Sequence, residues 1–280
     1  TSLYRDLLTN PRVFLPARKE PNNLTDDAVL TDAGLKEYAF HFQQAADDQV
    51  CGEASTSYTK LPDFSGAPQR AHKVLRPDLK LIYVVREPVS RVLSHHYHAL
   101  SFGKLSTNVE EAIEQEPQLI NWTRYATQAK QWIDVFGPDS IRIIPFDTYI
   151  KARRETIADL SEFLGIEPRP DLVQVDEVYN KGDNKPLPKG PMAIIQKRQF
   201  YKRYVRRMIP VGAREKLRKT FFPTNMKRPD PPGPETINLI IERLAPEMEE
   251  LRILMGAPEP IWDVEKVRAK YAPAESPASA

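Results

Sequence analysis

The stretch KLIYVVREPVSRVLSHHYH, residues 80–98, constrains the fold more than any other part of this chain. Leu81, Ile82, Val84 and Val85 form a short apolar run that predicts a strand buried on both faces. Arg86 ends the run abruptly, and Pro88 suits the first turn of a helix, where a missing N–H costs nothing. Arg86 is therefore expected at the carboxyl end of a central strand, where open α/β sheets hold their ligands. Ser94 falls about two turns into the helix, with Arg91 one turn nearer its start. An arginine and a hydroxyl converging near a helix N-terminus suit a phosphate. A surface arginine capping the strand end, paired with Glu87 or another acid, is the plainer alternative for Arg86 taken alone.

A chain of 280 residues can bury a sizeable core, and alternating strands and helices point to an α/β fold with a mostly parallel sheet and no internal repeat. The expected organisation is a single domain over 1–280: an α/β core at 1–170, helical and loop additions at 171–265, and a flexible tail at 266–280. No apolar run is long enough to cross a membrane. The single Cys51 forbids an intramolecular disulfide and favours a reducing, cytoplasmic compartment, with room for a signal or anchor upstream. Its neighbours predict a buried, inert strand residue.

The formal net charge of +2 hides an uneven distribution, because residues 197–219 hold ten Lys and Arg against the lone acid Glu215. A solvated helix face, a dock for an anionic glycan, a nucleic-acid strip and an anionic membrane surface all fit that segment. Residues 223–234 form a proline-rich connection. Beyond it, Ile237, Ile240, Ile241, Leu244, Met248 and Leu251 recur at helical spacing, predicting a packing helix interrupted near Pro246.

Arg86 followed eight residues later by Ser94, with Pro88 and Arg91 between, resembles the 3′-phosphate-binding segment of sulfotransferases that use PAPS, 3′-phosphoadenosine 5′-phosphosulfate. The resemblance is to carbohydrate- or glycan-type, bacterial-like members and extends over residues 1–170. The opening TSLYRDLLTNPRVFLPARKEPN is similar to the segment after the family's 5′-phosphosulfate loop, and Lys19-Glu20-Pro21 to its Lys-Glu-Pro turn. GEASTSYTKLP at 52–62 resembles the Gly-Glu-x-Ser-x-x-Tyr element, and residues 121–149 resemble the helix leading into the last core strand. In that stretch Trp132, Ile133 and Phe136 are expected inward, Gly137-Pro138 turns the chain, and Ile141, Ile143, Ile144 and Phe146 build the strand. Residues 2–9 are expected as a helix with Leu3, Leu7 and Leu8 inward, and Val13 to Pro16 as a short strand.

The resemblance implies a P-loop-NTPase-like parallel sheet flanked by helices, with C-terminal helical additions, and transfer of a sulfuryl group from PAPS to a hydroxyl of a carbohydrate or glycan, releasing PAP. It implies that Arg86 and Ser94 hold the 3′-phosphate. The family's Lys-x-Gly-Thr donor loop is not in the sequence, so Thr1 and Ser2 are read as its surviving end, contacting the 5′-phosphosulfate. Lys181 and Gly182 offer a weak match to the family's cover loop.

An alcohol is a weak nucleophile at neutral pH, so a positioned base should take its proton as attack proceeds. Glu20 resembles the catalytic glutamate of glycan sulfotransferases, and Lys19 beside it is expected to steady the sulfate or the acceptor. An ordinary charged turn before Pro21 is the alternative for both. Glu53, at the same sheet edge, is the rival base or a structural carboxylate. The chemistry needs no metal, and His95, His96 and His98 splay around a helix without a matching ligand set, which predicts helix-surface or acceptor-cleft residues. Tyr58 and Tyr125 are read as cleft-lining or packed aromatics.

The expected partner is a glycan acceptor, anionic if the basic segment engages it; nucleic acid is disfavoured. Two other functions compete. A nucleotide kinase or NTPase would need a Mg-binding acid, for which Asp147 is the tidy candidate. A non-catalytic protein docking polyanions through 197–219 would show steep salt dependence.

Overall fold

The computed structural model describes residues 2–100, 105–175 and 232–272. The basic segment 197–219, most of the proline-rich connection, and Thr1, Lys181 and Gly182 lie outside the described residues. Among the described residues the elements are α1 (Ser2–Leu7), β1 (Val13–Phe14), α2 (Asp32–Phe40), β2 (Val50–Cys51), α3 (Ala67–Val74), β3 (Leu81–Val85) and α4 (Pro88–Leu100), then α5 (Val109–Gln115), α6 (Gln118–Asn121), α7 (Tyr125–Phe136), β4 (Ile141–Pro145), α8 (Phe146–Lys151) and α9 (Arg153–Phe163). Two further helices span Pro234–Leu254 and Val264–Tyr271. The chain divides into two compact units.

The first unit, described over residues 2–88, 120–175 and 242–263, holds all four strands as two parallel pairs. β1 pairs with β2, placing Val13 opposite Val50, and β3 pairs with β4 from Leu81–Ile141 through Val85–Pro145. Successive strand side chains point to opposite faces. Ile82 and Ile144 pack with Leu7, Val13, Ile157 and Leu160 of α1, β1 and α9. Tyr83, Val85 and Ile143 pack with Tyr125, Ala126, Leu251 and Trp262. Both faces of the β3–β4 pair are thus covered, although only Val85 and Ile141 are buried along it. A third cluster gathers Leu24, Val29, Tyr38, Tyr58, Ala71 and Trp132.

Several expectations shift by one residue or one face. Leu8 is exposed, because α1 stops at Leu7 and the chain turns toward Asn10. Phe146 opens α8 instead of extending the strand. Cys51 lies in β2 but is exposed: Val50 takes the core-facing position, so the pleat turns Cys51 outward. The Pro234–Leu254 helix runs unbroken through Pro246. A proline inside a helix costs about 3 kcal/mol, and each fully buried Ile or Leu side chain returns about 1.5–3 kcal/mol. Ile237, Ile240, Ile241, Leu244 and Leu251 are all buried, so packing wins. Residues 264–271 are helical, so order extends into the region expected as a tail.

The second unit is described over residues 89–100, 105–119, 232–241 and 264–272. Val89, Val92, His96 and Leu100 form one buried stripe of α4, and Val109, Ala112 and Ile113 are the buried residues of α5. The Asn108 side chain caps α5 by accepting the backbone N–H groups of Glu110 and Glu111 at 2.9 and 3.2 Å. Lys270 donates to Ser90 Oγ at 3.2 Å, tying Val264–Tyr271 to α4. No described helix is long and apolar enough to cross a membrane.

Candidate active site

Two parallel strands send their following segments out at the same end. Glu20 follows β1 and Glu53 follows β2, so the pairing of Val13 with Val50 brings the two carboxylate-bearing segments alongside each other. The Glu20 backbone N–H donates to the Ala54 carbonyl at 3.2 Å, and the Asn22 N–H donates to Ser55 Oγ at 3.1 Å. Gly52 permits this approach: a Cβ there would lie 3.1 Å from the Leu15 side chain. Glu20 and Asn22 both sit in the left-handed region, at φ of 56° and 61°. Such a conformation costs on the order of 1–3 kcal/mol at a non-glycine residue. Asn22 also donates from Nδ2 to the Glu20 carbonyl at 2.7 Å, while its Oδ1 is buried with no donor among the described residues.

The two carboxylates differ in what they already hold. Glu53 accepts from Ser55 Oγ at 2.7 Å, from Tyr38 OH at 3.4 Å, and from Tyr58 OH. Burial pushes its carboxyl above the usual range, against the pull of those three donors and of His41. The Tyr38 and Tyr58 hydroxyls are pushed up in turn, by burial first and then by the Glu53 charge. Glu20 is half-buried, and its carboxylate has no hydrogen-bond partner among the described residues. The Lys19 ammonium stands 5.9 Å from the centre of the Tyr4 ring. Tyr4, on α1, donates its hydroxyl to the Pro16 carbonyl; burial, followed by the Glu53 charge, raises its pKa.

Arg86 follows β3 as expected. Its backbone N–H donates to Tyr125 OH at 3.3 Å, and Tyr125 packs against Tyr83 and Trp262. The guanidinium is exposed and forms no ion pair or hydrogen bond with any described residue, Glu87 included. An unpaired arginine at the carboxyl end of a parallel strand fits a phosphate well. Ser2 opens α1 and is half-buried. Asp147 is exposed in the first turn of α8.

In the second unit, Ser94 lies on the exposed side of α4. Arg91 donates to His95 Nδ1 at 3.2 Å, one turn along the same face. His96 departs from the surface position expected of it: it is buried, and its Nε2 donates to the Ser106 carbonyl at 2.8 Å. Burial holds its pKa below the ordinary range, against the pull of that hydrogen bond. The cause is the helical stripe: position 96 falls in line with Val89, Val92 and Leu100. Among the described residues no group of three or more His, Cys, Asp or Glu is arranged to hold a metal.

Sequence reading brought out Lys19, Glu20, Glu53 and Tyr58, which the structure gathers around one turn. It missed Tyr4, Asn22, Ser55 and Tyr38. Ser55 could have been found, since it falls two residues after Glu53 in the Gly-Glu-x-Ser-x-x-Tyr element. Tyr38 arrives from α2, and no local pattern announces it.

Residues 68–181 match the family model described as the sulfotransferase domain. This match contains Arg86 and Ser94; Lys19, Glu20 and Glu53 lie before it. The fold is similar to the crystal structure of a sulfotransferase from Alicyclobacillus acidocaldarius, with a TM-score of 0.56 and 21% identity over 91% of this chain and 90% of that one. A sulfotransferase domain from the curacin biosynthetic pathway aligns with a TM-score of 0.43 and 14% identity, over 68% of this chain and 76% of that one. Residues 68–181 are thus similar to the sulfotransferase domain, and the P-loop-like α/β fold agrees with that similarity.

Proposed function

We propose that this protein, acting as one domain over residues 1–280, transfers a sulfuryl group from PAPS to a hydroxyl of a carbohydrate or glycan acceptor and releases PAP. The observation that carries the reading is Arg86: an exposed guanidinium, unpaired among the described residues, at the carboxyl end of a core parallel strand inside the matched sulfotransferase domain. In this reading Arg86 and Ser94 take the 3′-phosphate, Thr1 and Ser2 take the 5′-phosphosulfate, and Lys181 and Gly182 cover the nucleotide. The acceptor O–H loses its proton to Glu20 as its oxygen attacks sulfur. The bond from sulfur to the bridging phosphate oxygen breaks, and PAP leaves with that electron pair. Lys19 steadies the charge on the sulfuryl oxygens. Glu20 is preferred over Glu53 as base because the Glu53 carboxylate already accepts from three hydroxyls. The basic segment 197–219 favours an anionic glycan.

Calorimetric titration with adenosine 3′,5′-bisphosphate tests the donor site. The wild-type protein should bind it and ignore ATP, and Arg86→Ala should lose at least about tenfold in affinity, the order expected for a charge-assisted phosphate contact. Equal affinity in the two proteins would remove Arg86 from the site.

A further inference from the structure

The turn that carries Glu20 is held in place by groups that belong to the neighbouring segment. Its two left-handed residues, Glu20 and Asn22, flank the buried Pro21. A glutamate has no intrinsic preference for that conformation, whereas Asn22 enters it more readily and tethers the Glu20 carbonyl through Nδ2. The tethers come from residues 54 and 55: the Ala54 carbonyl accepts the Glu20 N–H, and Ser55 Oγ accepts the Asn22 N–H. A serine hydroxyl has one proton, and here it goes to Glu53 Oε2 at 2.7 Å, which leaves the oxygen lone pairs turned to Asn22. The other Glu53 oxygen is held by Tyr58, whose hydroxyl oxygen accepts the Leu24 N–H at 3.3 Å just beyond the same turn. Glu53 therefore orients two hydroxyls, and each of those hydroxyls accepts a backbone N–H from the Glu20–Leu24 segment.

We propose that Glu53, through Ser55 and Tyr58, is a positioning carboxylate: it locks the strained Glu20–Pro21–Asn22 turn and so fixes the backbone from which the Glu20 side chain projects. This inference rests on Glu20 being the base. It gives Glu53 a role distinct from proton transfer and assigns Ser55 a function in turnover although it touches no reacting atom. Holding a base in place matters because a displacement of about 1 Å at a reacting group can cost on the order of a hundredfold in rate.

The experiment is a double-mutant cycle on turnover with PAPS, using wild type, Ser55→Ala, Glu20→Gln and the double variant, with bisphosphate affinity measured in parallel. Ser55→Ala should lower kcat by about ten- to a hundredfold, leave bisphosphate affinity unchanged, and add no further loss in the Glu20→Gln background. Ser55→Thr, which keeps the hydroxyl, should restore most of the rate. Additive losses in the double variant, or full turnover in Ser55→Ala beside a silent Glu20→Gln, overturn the positioning role and leave the base assignment standing. Full turnover in Glu20→Gln overturns the base assignment and this inference with it. If Ser55→Ala does not fold, Tyr58→Phe, which removes the other hydroxyl through which Glu53 holds the segment, runs the same cycle with the same readings.

Discussion

At the scale of single residues, the most consequential side chain outside the carboxylate cluster is Tyr125. Its ring is wedged between Tyr83 and Trp262, and its hydroxyl accepts the Arg86 N–H at the point where β3 ends. A fixed backbone at residue 86 limits where the guanidinium can reach, so Tyr125 should contribute to donor affinity without touching the donor. Tyr125→Phe keeps the packing and deletes the hydroxyl. One neutral hydrogen bond contributes about 0.5–1.5 kcal/mol, so bisphosphate affinity should weaken by about two- to tenfold while KM for the acceptor stays put. An equal rise in both constants would mean a general loosening of the fold. Arg86 itself was legible from sequence because a strand end is a local pattern. Tyr125 was legible only as an aromatic, because its partner is fixed by how α7 packs on β3.

At the scale of elements, local patterns located α1, α4, α7, the Pro234–Leu254 helix and the β3–β4 strands, left α2, α3 and α5 unassigned, and failed where packing overrules a local rule. Pro246 is the clearest case. It is exposed in mid-helix, where it removes a backbone donor and crowds the preceding turn, yet the apolar stripe beneath it keeps the helix whole. Pro246→Ala should therefore stabilise the protein by about 1–3 kcal/mol, less whatever the freer unfolded chain takes back. Chemical denaturation would show this as a higher midpoint with an unchanged slope. A lower midpoint would mean that the helix uses a bend at this residue. Cys51 illustrates the complementary failure: a two-residue strand has one face in and one out, and alternation alone does not say which residue takes which.

At the scale of the whole molecule, long-range polar contacts were invisible in the sequence. Asp6 and Arg153 are 147 positions apart, yet they form a buried two-pronged ion pair, with Arg153 Nη2 donating to Asp6 Oδ1 at 2.6 Å and Nε to Oδ2 at 2.9 Å. Tyr149 adds a third donor to Asp6, and Arg153 also reaches the Val175 carbonyl at 2.8 Å. The Asp6 partnership raises the Arg153 pKa. This network joins α1, α8 and α9 to the segment that ends the described core. Breaking one side of such a pair strands the other charge, at a cost of about 3–5 kcal/mol. Asp6→Leu should lower thermal stability by that order, and pairing it with Arg153→Met should recover a large part of the loss. A single variant as stable as the parent would show that the pair contributes nothing.

The left-handed Glu20 has a consequence for any attempt to harden this protein. Glycine adopts that conformation without a steric penalty, so a library screened for heat resistance alone should drift toward Gly at position 20. On the reading given above, its winners would be robust, soluble and unable to move a sulfuryl group.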